Sequence, residues 1–314
     1  MKLHIDYRFF ADTIRATSQH LNIRQEFIEK DYWITLVLSR LSASKYAKET
    51  VFKGGTSLSK GFGLIDRFSE DVDLAIINTL NKTGNEIKTT IRSTEKEITD
   101  SLTEIQMEGV TSKGSRFRKS VFEYDSIDLK NKSNRLIIEV NSFANSFSYQ
   151  SLPIQSMIHD FLVQSRNIEY VEQYDLQPFS VNVLNKEQTM VEKLVSLIRF
   201  SFDENPVDSL SQKIRHFYDL YFLSIDADCA YFLKSETFNK RFSEILDHDR
   251  DLFDVPSGWK DRPISESPLL KDFPSIWDKL QSLYNTELSA LAYAPIPDQK
   301  LVAHSFTEMI EHLK

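Results

Sequence analysis

Glycine is scarce in this chain of 314 residues and unevenly placed: four of its eight glycines fall between positions 54 and 63. The stretch reads Phe52-Lys53-Gly54-Gly55-Thr56-Ser57-Leu58-Ser59-Lys60-Gly61-Phe62-Gly63. Glycine tolerates positive φ and lets a backbone approach a neighbour closely, so such a cluster calls for a tight turn pressed against something. A short strand around Thr50–Lys53 leads into the turn, and a short helix over Thr56–Phe62 leaves it. A helix starting there aims free N–H groups and the positive end of its dipole at the turn, which is a setting for a phosphate. A plain strand–helix turn, with glycine chosen for packing, accounts for the same residues. The stretch is neither a Walker A loop, because Lys60 stands between Ser59 and Gly61, nor a Gly-x-Gly-x-x-Gly dinucleotide fingerprint.

The next segment, Arg67-Phe68-Ser69-Glu70-Asp71-Val72-Asp73-Leu74, opens a strand over Val72–Ile77 in which Val72, Leu74 and Ile76 alternate with Asp71, Asp73 and Ala75. Strand side chains alternate between faces, so Asp71 and Asp73 share one. Two carboxylates on one face repel unless a cation stands between them. Hard oxygen donors of this kind suit Mg²⁺, with Mn²⁺ as the substitute; Mg²⁺ keeps several waters and takes further ligands from substrate phosphates. An exposed strand edge with two solvated aspartates is the alternative for Asp-x-Asp alone. The glycine turn followed by Asp-x-Asp on the next strand is far more specific, because it sets phosphate donors beside metal ligands.

Hydrophobic periodicity predicts helices over 7–21, 23–43 and 86–107, strands over 119–127 and 134–143, and further helices near 186–202, 212–225, 228–247 and 298–313. The segment 151–177 fits neither pattern. Helices, then a mixed sheet, then a helical half make an α+β fold: residues 1–180 as an N-terminal domain with a mixed sheet, and 181–314 as a mainly α-helical domain closing the active-site cleft.

Composition narrows the function. Apolar residues are 41% and charged residues 27% of the chain, an ordinary globular mix. A lone cysteine, Cys229, excludes an internal disulfide or a cysteine metal cage. The charged N-terminus is unlike a signal peptide, and no run of about 18 apolar residues occurs, so a cytoplasmic protein without a membrane span is expected. The net charge is −8, the wrong sign for a general nucleic-acid binder. A local basic patch at 113–135 (Lys113, Arg116, Arg118, Lys119, Lys130, Lys132, Arg135) is the candidate contact for RNA; a solvated hairpin face is the alternative.

The glycine-turn and Asp-x-Asp motifs together closely resemble those of the AbiEii/AbiGii nucleotidyltransferase-like toxins, a polymerase-β-type family that includes the MenT toxins. Glu29-Lys30-Asp31-Tyr32-Trp33 also looks like the family's upstream segment, and the likeness extends to about residue 225. The resemblance implies a polymerase-β-type nucleotidyltransferase domain using NTP and Mg²⁺. It implies nucleotide contacts from Lys53, Gly54, Gly55, Thr56, Ser57, Lys60, Arg67, Ser69 and Lys193, and catalytic roles for Asp71, Asp73, Glu139, Lys193 and Asp219. Glu139, the acid in the middle of Arg135–Asn141, would complete the metal set with Asp71 and Asp73 or act as general base; an outward-facing strand glutamate is the alternative. Lys193, at the edge of the stripe Met190, Val191, Leu194, Leu197 and Ile198, can reach into a cleft or merely snorkel. Asp219 would be the family's last site aspartate; an ion pair with Arg215 four residues away reads the same letters. Arg67 could neutralise the aspartate pair or contact phosphate. Phosphorylation of Ser69, beside Asp71, would add negative charge to the triphosphate pocket and stop the reaction, and full activity in Ser69→Glu would count against that.

The implied function is that of a toxin of a bacterial toxin–antitoxin or phage-defence system. It would transfer a nucleoside monophosphate to an RNA acceptor, notably a tRNA 3′ end, and be paired with an antitoxin protein. The rivals are nucleotidylation of a protein or small molecule, and a non-catalytic module that binds nucleotide or partner.

Overall fold

A computed structural model describes residues 1–69, 71–77, 79, 82–128, 134–142 and 148–313. It divides into two compact units, Met1–Gly63 with Phe68–Leu184, and Leu64–Arg67 with Asn185–Lys314. The short excursion at 64–67 is invisible to a boundary read from composition.

The first unit runs α1 (Tyr7–Leu21), α2 (Gln25–Ala43), β1 (Thr50–Lys53), α3 (Gly54–Lys60), β2 (Asp71–Ile76), α4 (Gly84–Ile98), β3 (Thr103–Ile105), β4 (Ser112–Lys113), β5 (Phe117–Glu123), β6 (Arg135–Asn141), β7 (Tyr149–Ile154), α5 (Met157–Gln164), α6 (Ile168–Gln173) and β8 (Phe179–Leu184). Its strands form one mixed sheet in the order β3-β5-β6-β2-β1-β8-β7, with β4 on β5. β2 runs parallel to β6, and β1 parallel to β8; the other pairs are antiparallel. This is the α+β class the sequence pattern predicts.

The two faces of the sheet differ as the alternation requires. Phe52, Val72, Leu74, Ile138 and Val140 are fully buried, on the face packed by α2 and α4. Arg118 points to that face as well and pairs with Glu95 of α4. The opposite face carries Lys53, Asp71, Asp73, Lys119 and Glu139, all half-buried. α2 is buried nearly all round, including Glu29, Lys30 and Asp31. Buried acids need partners. Glu29 accepts from the Ser126 hydroxyl and the Ile127 N–H, each at 2.8 Å. Asp31 accepts from the Met157 N–H at 2.8 Å and pairs with Lys60 of α3. The Glu29–Trp33 segment therefore ties α2 to the loop after β5, to α5 and to α3.

The second unit is helical: α7 (Lys186–Ser201), α8 (Pro206–Ser211), α9 (Ile214–Ile225), α10 (Ala227–Leu233), α11 (Glu236–Leu252), α12 (Pro268–Leu291) and α13 (Gln299–Glu311). Phe217, Phe273, Trp277 and Phe306 meet in its core, with ring centroids 4.6 to 6.0 Å apart.

Several expectations need correction. The helix expected over 86–107 stops at Ile98, and β3 follows. The helix expected over 228–247 is two, because Ser235 starts a new helix at Glu236. The ambiguous 151–177 contains the end of β7, then α5 and α6. The longest helix, α12, was not anticipated: Pro268 sits at its first position and Pro274 lies inside, after a non-helical Asp272, so the segment reads as broken.

Candidate active site

Four strands deliver charged side chains to one row. Register places Lys53 opposite Asp73, Asp73 beside Glu139, and Glu139 opposite Lys119. In-register neighbours point to the same face, so Lys53, Asp73, Glu139 and Lys119 line up across β1, β2, β6 and β5, with Asp71 two residues along β2. This face meets the glycine turn: Gly54 has φ +81°, and a Cβ there would lie 2.2 Å from Asp73 Oδ2. Only a residue without a side chain lets the start of α3 close against that carboxylate.

Within the turn, the Thr56 hydroxyl donates to the Asp71 carbonyl at 2.5 Å, pinning α3 to the start of β2. The Ser57 hydroxyl donates to the Gly54 carbonyl at 2.8 Å. Both side chains are buried, so they brace the turn. Lys60 is engaged by buried Asp31, on the far end of α3 from the turn. Lys60, expected as a nucleotide contact, has 9% side-chain exposure and faces that acid. Ser69 is half-buried.

The acids of the row crowd one another. Burial first, then the Glu139 and Asp71 charges, push the Asp73 carboxyl up to about 8, against the pull of Lys53 and Lys119. Asn141, 3% exposed, donates from Nδ2 to Glu139 Oε1 at 3.2 Å and orients it. Lys119 Nζ lies 4.0 Å from Asp71 Oδ2 and 3.9 Å from Glu139 Oε2. Among the described residues no three His, Cys, Asp or Glu side chains are grouped so as to hold one ion. The Lys119 ammonium stands between Asp71 and Glu139, two of the three acids expected, with Asp73, as the metal set. Asp71 and Asp73 fit a hard divalent ion by donor chemistry, since both offer carboxylate oxygens on one face and Asp73 is short of a countercharge.

Lys119 was missed as a site residue. It sits in the basic stretch 113–135, and only the β5–β6 register brings it to Glu139. Three other cations of that stretch are paired with acids. Lys113 pairs with Glu104 at 2.6 Å, Arg118 with Glu95 at 2.5 Å and Arg135 with Glu123 at 3.3 Å. Lys130 and Lys132 lie outside the described residues, as does Glu70, which precedes the Asp-x-Asp motif.

The second unit holds its own charged cluster. Arg67 Nε and Nη2 donate to Asp219 Oδ1 and Oδ2 at 2.7 and 2.6 Å, and Lys193 Nζ reaches Oδ2 at 2.8 Å. Asp219 is fully buried, and Arg67 and Lys193 are nearly so. Burial works to raise the Asp219 carboxyl, but Arg67 and Lys193 overcome it and hold it well below the usual carboxylate range. Burial, Lys193 and Lys213 drive the His216 imidazole well below its ordinary value, so it is neutral. Arg67 is a partner of Asp219, a pairing the sequence reading did not contain. The Arg215–Asp219 pair is not what the structure shows: Asp219 faces Arg67 and Lys193.

Comparison with known proteins adds to the geometry. The family described as nucleotidyl transferase AbiEii toxin, type IV TA system, matches residues 36–310. The match starts after Glu29–Trp33 and runs well past residue 225, where the likeness in the sequence reading ended. No curated protein sequence matches. Among solved structures, MenT4, the nucleotidyltransferase toxin Rv2826c from Mycobacterium tuberculosis H37Rv, is 14% identical over 86% of this chain and 98% of that one, with a TM-score of 0.44.

Proposed function

This chain belongs to the AbiEii family of nucleotidyl transferase toxins of type IV toxin–antitoxin systems, and from that premise we propose that it transfers a nucleoside monophosphate from an NTP to the 3′ hydroxyl of an RNA, with tRNA as the expected acceptor. The observation that carries the reading is the closure of Gly54 onto Asp73, in register with Glu139. A glycine-lined helix start and three acids on one face are what nucleotidyl transfer asks of a protein, because the reaction is mainly positioning and charge stabilisation.

Asp71 and Asp73 would hold Mg²⁺, which supplies charge neutralisation for the leaving pyrophosphate and acidifies the attacking hydroxyl. The turn at Gly54–Ser57 supports the phosphates beside those carboxylates. Glu139, oriented by Asn141, takes the hydroxyl proton as the acceptor oxygen bonds to the α-phosphorus and the bond to pyrophosphate breaks. The family implies a partner antitoxin. No helix among the described residues is long and apolar enough to cross a membrane.

One observation favours a second acceptor class. Among the described residues of 113–135, Lys113, Arg118 and Arg135 are paired with acids and Lys119 lies among the site acids, on a chain of net charge −8. A protein or small-molecule acceptor would need no basic track. Incubation with each α-labelled NTP and separate tRNA, protein and small-molecule acceptors tests both. Label on RNA, absent in Asp71→Ala, is the expected result. Label only on another acceptor would reassign the substrate, and no transfer anywhere would sink the transferase reading.

A further inference from the structure

The position of Lys119 raises a question the proposed reaction leaves open. Its ammonium is set between Asp71 and Glu139 at 4.0 and 3.9 Å, too far for a strong hydrogen bond to either and close enough to neutralise both. It is 28% exposed on its side chain, so it can swing out, unlike Lys60 or Lys193. It projects from β5 directly opposite Glu139. Lys53 and Lys119 offset the mutual repulsion of the three carboxylates of the row.

We propose that Lys119 is a built-in counter-ion that competes with a divalent ion for Asp71 in the free protein and yields that carboxylate when nucleotide arrives. A bare divalent ion has to displace an ammonium from Asp71 and so binds weakly. An ion carried on a triphosphate brings phosphate oxygens to which the displaced ammonium turns, so the two bind cooperatively. Lys119 thereby makes metal and nucleotide binding mutually dependent, and it keeps the acids of the row in place while the site is empty. The inference rests on the reading of Asp71 and Asp73 as metal ligands.

Reciprocal coupling is directly measurable. Mn²⁺ binding to the full chain is titrated by electron paramagnetic resonance, without nucleotide and then with a non-hydrolysable NTP analogue. Lys119→Met should bind Mn²⁺ alone at least tenfold more tightly than the wild type, and the enhancement of Mn²⁺ affinity by the analogue should shrink by a similar factor. Lys119→Arg, which keeps the charge, should behave as the wild type. A merely structural lysine would not tighten metal binding when removed. Unchanged or weaker Mn²⁺ binding in Lys119→Met, with binding still lost in Asp71→Ala, would overturn the role of Lys119 and leave the metal site standing. A wild type whose Mn²⁺ binding, with or without the analogue, is unaffected by Asp71→Ala would remove the metal reading and this inference together.

Discussion

Replacing Gly54 by alanine should separate activity from stability. At φ +81° an alanine costs about 1–2 kcal/mol of backbone strain. Its Cβ would also stand 2.2 Å from Asp73 Oδ2, where ordinary contact begins at 3.4 Å. Something must move by about 1 Å, and the end of the Asp73 side chain is what moves most easily. A displacement of that size at reacting groups costs on the order of 100-fold in rate, or about 2.7 kcal/mol of transition-state stabilisation. Gly63→Ala is the matched control. Gly63 has φ +62° and nothing within 4 Å of its would-be Cβ, so it carries the strain without the collision. Both variants should lose about 1–2 kcal/mol in urea unfolding. In a pyrophosphate-release assay, kcat/KM should fall about 100-fold in Gly54→Ala and stay near wild type in Gly63→Ala. Equal activity in the two variants would refute the argument that Gly54 is glycine because of Asp73.

Asp219→Asn removes the counter-charge of two buried cations and should cost about 3–5 kcal/mol in urea unfolding, whereas Asp71→Asn, in a half-exposed crowd of acids, should cost less than about 1 kcal/mol; similar losses would show that Asp219 does not balance Arg67 and Lys193. The depressed His216 gives a pH signature: its folded value lies well below the unfolded 6.5, so the fold takes up fewer protons. The corresponding stability is present above pH 6.5 and is lost as pH falls through it, by up to about 1.4 kcal/mol per pH unit. Urea unfolding of wild type and His216→Phe between pH 7.5 and 5.5 should show this slope in the wild type and a flatter one in the variant. Asp73 has the opposite sign: its carboxyl, raised from 3.8 to about 8, costs the fold stability as pH climbs through that window. A bound Mg²⁺ must displace that proton, so Mg²⁺ affinity, read from its effect on the melting temperature, should rise about tenfold per pH unit until about 8 and then level; a flat profile would mean that Asp73 is not a ligand.

Local pattern made much of the first unit legible. The β1 strand, α1 and the alternation that puts Asp71 and Asp73 on one face follow from period and burial, because a one-residue slip would bury the acids instead of Val72 and Leu74. What the letters could not supply is which strands are neighbours. β2 lies parallel to β6 across more than sixty residues of chain, and that pairing alone brings Glu139 to Asp73. Likewise Lys119 looks like one more cation in a basic stretch until β5 is paired with β6. The second unit was less legible where proline interrupts the helical pattern, as in α12.

Three cations near the motifs follow one rule. Lys60, Arg67 and Lys119 stand in or near motifs that bind phosphate or RNA in the sequence reading, and a charged residue there is naturally read as facing a ligand. Motif position fixes only the backbone; the direction of a long cationic side chain is decided by where its charge can be neutralised at least desolvation cost. Lys60 and Arg67 are nearly inaccessible, and each is engaged by a buried aspartate, Asp31 and Asp219. Such a pair is expensive to bury and more expensive to break, so its residues fix the geometry of the elements they join, α3 to α2 and the 64–67 excursion to α9. Lys119 differs because it is loosely held and partly exposed between two acids. A cation so placed loses little on leaving, which is why, of the three, it is the one suited to exchange with an incoming ion.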